Sequence, residues 1–327
     1  MAQALVTGGT GFIGSHVVRA LLAAGHQVRV LRRATSRLEA LEGLAGYRAV
    51  VGDILDPASL EAAMAGCAWV FHVAAVSDYW RQDVGWLYRV NVEGTRNVLA
   101  AARRAGVQRL VFTSSAAAVG LREDGFPADE SVTFNLSPAA FPYAHSKFLA
   151  EIEVLKAVIA GLDCVILNPA VVIGPGDVYQ GSGSLLIEML RRRVPAIPPG
   201  GVTLIDVRDV AAAHLAAAER GRVAERYLLG AVDLSYRVWL RLVADVVGVP
   251  PPWLRVPAWA VPFIGLAVDL ARAAGVPVPA DGNQIRFSAR RMYYNCQKAW
   301  AELGEPQIDI RQSLQDTLDW YRAHGVV

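Results

Sequence analysis

The segment TGGTGFIGSH at residues 7–16 restricts the possible folds more than any other stretch of the chain. It follows a short apolar run, ALVTGG, that reads as a strand, and it opens an amphipathic run from Gly14 to Ala24 that reads as a helix. Each of three glycines meets a steric demand at that junction. Gly8 permits the tight turn, Gly11 lets backbone amides come close to an anion, and Gly14 lets helix pack on strand. The helix N-terminus, with its unpaired N–H groups, then faces the anion. A glycine triplet alone is a weak signal and could be a purely structural turn. Between a strand and a helix at the chain start it points to the pyrophosphate of a dinucleotide. Gly8, Thr10, Gly11, Phe12 and Ile13 are the residues expected against it.

The alternation continues along the chain. QVRVLRR, a helix from Pro57 and WVFHVAA come next, followed by strands RLVFTSS (109–115), CVILNPAVV (164–172) and RYLLGA (226–231), with helices near 92–105, 142–160 and 207–220 between them. Repeated strand and helix units of this kind predict an α/β fold, a doubly wound parallel sheet of Rossmann type. After Pro169 the texture changes to IGPGDVYQGSGS and VPAIPPGGV, which read as loops, and from Leu234 the chain is helical, proline-punctuated and rich in tryptophan. Residues 1–172 and 205–233 are expected to form the dinucleotide-binding domain. Residues 173–204 and 234–327 are expected to form a smaller, mostly helical substrate domain over the carboxyl edge of the sheet, where sites in such folds form.

Composition excludes several classes. With 327 residues, 54% hydrophobic and 19% charged, the chain can bury a substantial core. A formal net charge of +2 argues against a nucleic-acid partner, and Arg191, Arg192 and Arg193 read as a solvated helix face. Cys67, Cys164 and Cys296 lie far apart, with neither disulfide nor metal spacing, which fits a reduced, cytoplasmic setting and no metal. The start, MAQALVTGG, lacks the pattern of an export signal. The most lipid-like stretch, VPAWAVPFIGLAVDLA at 256–271, is shorter than the roughly 20 residues a membrane span needs and contains Pro257, Pro262 and Asp269. It is expected to be a buried or cleft-lining helix without stable membrane insertion, contact with a membrane interface being the alternative.

The second strand ends VRVLRRATSR, with Arg32, Arg33, Ser36 and Arg37 and no acid. An acid there would bind a ribose 2′-hydroxyl, whereas a guanidinium suits a 2′-phosphate, so NADP is favoured over NAD. Exposed arginines that merely end a strand are the competing reading. Asp53 and Ile54 of VVGDILD are placed for the adenine, and Ala74 and Ala75 of HVAA for a small-residue shelf under the cofactor.

FPYAHSK at 141–147 puts Tyr143 and Lys147 one helical turn apart behind Pro142, which suits a helix's opening turn. On those residues alone a chance surface pair is the simpler reading. Carbonyl reduction by hydride, however, creates an alkoxide that needs a proton. A phenol of pKa near ~10 is a poor shuttle at neutral pH unless a nearby cation favours its phenolate.

TGGTGFIG, GDILD, HVAA, NVEGTRNVL, FTSSAAAVG, YAHSK and NPAVVIGPGD occur in this order. That series resembles the extended short-chain dehydrogenases/reductases of the NAD-dependent epimerase/dehydratase family. It is most similar to the branch of dihydroflavonol-reductase-like, 3β-hydroxysteroid-dehydrogenase-like and hopanoid-associated sugar-epimerase-like proteins, and it spans essentially the whole chain. The resemblance implies Tyr143 and Lys147 as the catalytic pair, with Lys147 also on the nicotinamide ribose, and Ser115 as a hydrogen-bond donor to the substrate oxygen. Thr113, Pro169, Val171 and Val172 join the cofactor set. Ser77, Tyr79, Phe141 and Tyr179 are expected around a small-molecule substrate, with Trp80 on the same loop. Ser114 reads as structural, Asn91 as a tie between neighbouring strands and loops, and His72 and His145 as ordinary structure. A homodimer built on the helices near 92–105 and 142–160 is implied by analogy.

Two reactions compete: reduction of a small, largely apolar carbonyl with NADPH, and epimerisation or dehydration of a nucleotide sugar. The intact Ser115, Tyr143 and Lys147 set argues against a third reading, a non-catalytic cofactor sensor or scaffold. Sugar-nucleotide epimerases carry an arginine ahead of an HVxDxA-like segment. In GGVTLIDVRDVA, Val202 stands at that position and Asp206 replaces the histidine, with Arg286, Arg290 and Arg291 as possible substitutes. The loss of a bidentate clamp and the apolar 253–279 stretch, expected to line the cleft, favour the reductase.

Overall fold

The structure, a computed structural model, describes residues 1–77, 83–122, 124–181, 183–276, 278 and 281–327. Strands β1 (Gln3–Thr7), β2 (Gln27–Arg32), β3 (Tyr47–Val51), β4 (Trp69–His72), β5 (Arg109–Thr113) and β6 (Cys164–Pro169) build one sheet. The chain leaves it for β7 (Val171–Ile173), β8 (Ala196–Ile197) and β9 (Gly201–Asp206) and returns as β10 (Arg226–Leu229). The resulting seven-stranded sheet is parallel throughout, in the order β10-β6-β5-β4-β1-β2-β3. Its order reverses beside β1, which pairs with β2 on one edge and β4 on the other. A crevice opens beyond the carboxyl ends at such a point.

Helices cover both faces, so the central strands are apolar runs rather than alternating ones; every residue of β6 is buried. On one face α1 (Phe12–Ala23) buries Val17, Val18 and Leu21 in a core shared with Val210, Ala213 and Ala217. On the other, α2 (Pro57–Met64), α4 (Gly94–Arg104) and α5 (Pro142–Ile159) contribute Leu60, Met64, Val98, Ala150 and Val154 to a second core. The short α3 (Val84–Tyr88) runs through a π turn at Arg89–Glu93 into α4, so the helix expected over 92–105 starts later and less regularly. After α6 (Ser184–Leu190), α7 (Val207–Arg220) returns the chain to the sheet. Its N-cap is Asp206, whose carboxylate accepts from the Arg208 N–H at 2.7 Å.

The run CVILNPAVV is not one strand. It breaks at Ala170: β6 stays in the large sheet, and β7 pairs with β9 in a second one. Pro169 has no N–H with which to carry a ladder further. Strand β9, whose first two residues fall in the stretch VPAIPPGGV read above as loop, is fully buried and central. It pairs with β11 (Val232–Ser235) on one edge and with β7 and β13 (Arg291–Met292) on the other. The helices α6, α8 (Tyr236–Val247) and α12 (Ile310–Ala323) pack here through Leu186, Trp239, Leu240 and Leu314. Strand β12 (Leu254–Arg255) pairs with β8. Helix α11 (Gln297–Leu303) adds Ala299 and Leu303 to the α1 side of the large sheet.

The expectation of a buried helix over 256–271 fails. The apolar 256–271 stretch forms α9 (Val261–Ala273), but only Val261 and Gly265 of that helix are buried, against α10 (Gly282–Phe287). Trp253, Trp259, Phe263, Leu266 and Leu270 are exposed. The stretch is not a buried helix. One packed face satisfies α9's contact with α10, and its composition is apolar on the other face as well.

Candidate active site

The glycine turn sits where steric exclusion demands it. Gly8 has φ +70°, and a Cβ there would lie 2.6 Å from the Ala74 nitrogen; a Cβ on Gly14 would lie 2.1 Å from the Gly8 carbonyl oxygen. Gly11 is the N-cap of α1, and no capping side chain or first-turn acid occupies the helix's free N–H groups. The turn is closed by Gly11 N–H donating to the Gly8 carbonyl at 2.9 Å. Thr10 is buried, and Phe12 and Ile13 pack partly against the core beneath.

A buried relay holds the floor of this turn. The Ala74 N–H donates to Thr7 Oγ1 at 3.3 Å, and Thr7 Oγ1 lies 2.8 Å from His72 Nδ1. His72 Nε2 lies 3.0 Å from Thr95 Oγ1, which donates to the Asn91 carbonyl at 2.6 Å. Donors and acceptors balance only if Thr7 donates to Nδ1 and the ring carries its proton on Nε2. Burial, reinforced by the Lys147 charge, pushes His72 down to about 3, so the ring is neutral. Asn91 ties the loop after β4 to α5: its Oδ1 accepts from Val76 N–H at 2.8 Å and its Nδ2 donates to Ser146 Oγ at 2.9 Å. Ser146 Oγ in turn donates to the Tyr143 carbonyl at 2.7 Å.

At the end of β2, Arg32 is partly buried. Its Nη1 donates to the Arg33 carbonyl at 3.3 Å, and its Nε is buried with no partner. Arg33 is exposed, its backbone N–H bound to Ser36 Oγ at 3.0 Å. Arg37 is committed elsewhere, 2.9 Å from Glu39. Asp53 caps its own turn, Oδ1 accepting from Leu55 N–H at 2.9 Å, and Ile54 is buried against Gly94. Ala75 is exposed; Pro169 and Val172 are buried and Val171 partly so at the strand break.

Ser115 and Tyr143 are brought together. Their side chains are hydrogen-bonded, which opposes the upward push of burial on the Tyr143 phenol. Ser115 Oγ also accepts from the Ala117 N–H at 3.2 Å, and Asn168 Nδ2 fixes its carbonyl at 2.9 Å. Lys147, one turn below Tyr143, is buried; its Nζ donates to the Thr113 carbonyl at 2.6 Å and lies 4.6 Å from the Phe112 ring centre. Burial pulls the ammonium down to about 7, and the Glu151 carboxylate acts in the other direction. The Thr113 hydroxyl is engaged with His214 Nε2 at 2.7 Å, and the other ring nitrogen faces the Val210 carbonyl at 2.7 Å. Thr113 therefore meets the site through its backbone, not its side chain.

Glu151 was not legible as a site residue. It sits another turn along α5, almost fully buried, accepting from Ser114 Oγ and from Asn168 Nδ2 at 2.6 Å, with Arg226 at 3.2 Å. The four-residue spacing from Lys147 was the available signal; Asn168 and Arg226, on β6 and β10, gave none. Ser114 is structural through this contact.

The substrate-side residues disperse more. Phe141 caps α5 and packs on Phe287 with ring centres 4.5 Å apart. Ser77 and Tyr179 are exposed, and Tyr79, with Trp80, lies outside the described residues. His145 pairs with the Tyr88 hydroxyl at 2.8 Å. Val202 is buried in the core around β9, Arg286 is bound to Asp269 at 2.6 Å, and Arg290 and Arg291 are exposed. A separate concavity of about 550 Å³ beside Leu234, Trp300 and Ile310 contains none of the residues of this site.

A parallel sheet with a glycine turn at its switch point defines a dinucleotide-binding fold. The family model for the NAD dependent epimerase/dehydratase family matches residues 4–230, and the chain belongs to that family. It is similar to a protein of Synechocystis sp. named "Putative dihydroflavonol 4-reductase", 45% identical over 98% of this chain and 95% of that one. It is also similar to sterol demethylase protein B of Methylococcus capsulatus, 34% identical over 99% of each. Among solved structures it is similar to a double mutant of DesIV, a dTDP-glucose 4,6-dehydratase from Streptomyces venezuelae with NAD and DAU bound. That match has a TM-score of 0.77 and 26% identity over 98% of this chain and 96% of that one. The protein is an NAD(P)-dependent enzyme of the extended short-chain dehydrogenase/reductase type.

Proposed function

We propose that the enzyme reduces a carbonyl group on a small, largely apolar substrate with NADPH, Tyr143 supplying the proton. The observation that carries this reading is the Ser115–Tyr143 hydrogen bond at the head of a helix whose next turn buries Lys147. When bound, the nicotinamide supplies the hydride to the carbonyl carbon. Ser115 and Tyr143 present two hydroxyls to one oxygen, Ser115 donating a hydrogen bond and Tyr143 giving up its proton as negative charge develops. Burial keeps Tyr143 protonated beforehand, and the Lys147 ammonium stabilises the phenolate left behind.

The choice of NADPH is supported by the orphaned Arg32 Nε and the exposed Arg33 at the end of β2, where no carboxylate would repel a 2′-phosphate. The apolar substrate is supported by the Phe141–Phe287 ring pair, whose Phe141 lies two residues before Tyr143, and by a relative named for a sterol, a ring system of low polarity. Residues after Leu234, which supply Phe287, form the substrate side in this reading.

The test is a paired screen of NADPH oxidation across aromatic and alicyclic ketones and aldehydes, and of UDP-glucose/UDP-galactose interconversion with added NAD. Reduction of apolar carbonyls without sugar turnover is expected. Sugar interconversion without net cofactor consumption, and no activity on any apolar carbonyl, would replace this reading with an epimerase.

A further inference from the structure

Helix α9 is apolar on both faces. Its inner face is spent on α10: Val261 and Gly265 are buried there, and a Cβ on Gly265 would lie 3.0 Å from the Gly282 carbonyl oxygen. Its outer face carries Phe263, Leu266 and Leu270, spaced three and four apart and 68%, 52% and 62% exposed. Two tryptophans extend it: Trp259, 74% exposed in the turn before the helix, and Trp253, 86% exposed beside β12. A cluster of large apolar side chains in water marks a contact surface.

Two features identify what it contacts. Tryptophan, with an apolar body and one N–H, suits the boundary between lipid and water. The charge around the cluster is positive. Arg255 on β12 and Arg272 in the last turn of α9 are exposed. The pairing of Leu254 with Ala196 brings β8, and with it the exposed Arg191, Arg192 and Arg193, alongside. Nearby carboxylates among the described residues are engaged: Asp269 with Arg286 at 2.6 Å, Asp281 with the Gln284 N–H at 2.7 Å, and Glu188 between Arg191 at 3.9 Å and Arg193 at 4.0 Å.

We propose that α9 and the segment before it dock the enzyme on the surface of an anionic lipid bilayer. The helix has 13 residues. At about 1.5 Å per residue it reaches about 20 Å, short of the roughly 30 Å hydrocarbon core, so it lies in the interface with its apolar side down and its arginines at the headgroups. Among the described residues no helix is long and apolar enough to cross a membrane. Helix α10, on which α9 packs, ends in Phe287, which packs on Phe141, two residues before Tyr143. Membrane contact of this kind is independent of which carbonyl the enzyme reduces.

The test is co-sedimentation of the full chain with vesicles of equimolar phosphatidylglycerol and phosphatidylcholine, and with phosphatidylcholine alone. The intact protein should bind the anionic vesicles, and binding should fall by roughly tenfold or more on neutral vesicles or in high salt. The variant Trp259→Ser/Phe263→Ser/Leu270→Ser should lose binding by roughly tenfold or more while keeping its melting temperature and NADPH affinity. In the unaltered protein, brominated phosphatidylglycerol should quench tryptophan fluorescence, and the Trp253→Phe/Trp259→Phe variant should lose most of that quenching. Two results would overturn the proposal. One is a folded protein that ignores anionic vesicles. The other is a dimer that binds no vesicles and that the serine variant converts to a monomer, which would assign the face to a second copy of the chain.

Discussion

Arg32→Ser should change cofactor choice and little else. Among the described residues, Arg32 ends β2 with a buried Nε that has no partner and an Nη1 held by the Arg33 carbonyl at 3.3 Å. Among the described residues its side chain makes one hydrogen bond, and that bond is long. A charged hydrogen bond of this type contributes about 1.5–3 kcal/mol. At ~1.4 kcal/mol per decade, the NADPH dissociation constant should rise by roughly 10- to 150-fold for each such bond lost. NADH has no 2′-phosphate, and its affinity should scarcely move. Arg37→Ser is the internal control, because Arg37 already pairs with Glu39 at 2.9 Å on an exposed surface and should cost much less. The assay is titration by cofactor fluorescence at fixed ionic strength for both nucleotides against the parent, Arg32→Ser, Arg33→Ser and Arg37→Ser proteins. Equal losses for NADPH and NADH would show that Arg32 does not read the phosphate.

Lys147→Met keeps the apolar stem but removes the ammonium from the Thr113 carbonyl, and both NADPH affinity and turnover should fall, the latter by roughly 10²–10⁴; a variant with parental kinetics would remove Lys147 from the mechanism. Glu151→Gln deletes the charge that opposes the burial of Lys147, so the ammonium should deprotonate at lower pH and the alkaline limb of the kcat/KM profile should move towards acid. An unmoved limb, whatever the stability, would refute that coupling. His72→Gln probes acid stability. Burial and the Lys147 charge pull the folded ring from its ordinary 6.5 down to about 3. The unfolded chain therefore binds a proton that the folded one refuses, and the ring's stabilising contribution is full above the unfolded value and declines as pH falls towards 3. The slope is about 1.4 kcal/mol per pH unit for one such group. His214, pulled down to about 4 by burial, adds an equal slope over a narrower window. Urea unfolding across that range should show the slope reduced by one proton in the variant, and an unchanged slope would contradict the neutral His72 relay.

What the sequence disclosed follows from how local each signal is. Helix α5 begins at Pro142, and α7 runs from Val207 to Arg220 as expected, because a proline at an opening turn and an acidic N-cap are readable within a few residues. The glycine turn was legible because excluded volume acts on neighbours only a few positions away. Strand β9 was hidden among glycines and prolines, since its three partners come from distant segments. The break at Ala170 was invisible for the same reason: one apolar run serves two sheets. Helix α9 was misjudged because an apolar composition says that a surface needs covering and not what covers it. At the site, the spacing of Tyr143 and Lys147 was plain, but the ring of Asn168, Arg226 and Ser114 around Glu151 depends on strand order.

The most direct measurement of the central claim follows a labelled hydrogen. An apolar ketone accepted in the screen is incubated with NADPH deuterated at the transferring position of the nicotinamide, in parent enzyme and in Tyr143→Phe. One deuterium should appear on the carbinol carbon for each NADPH oxidised, and the phenylalanine variant should do this slower by roughly 10²–10⁴ with cofactor affinity nearly intact. Deuterium transfer at the parental rate in Tyr143→Phe would contradict the account, as would an absence of label in product.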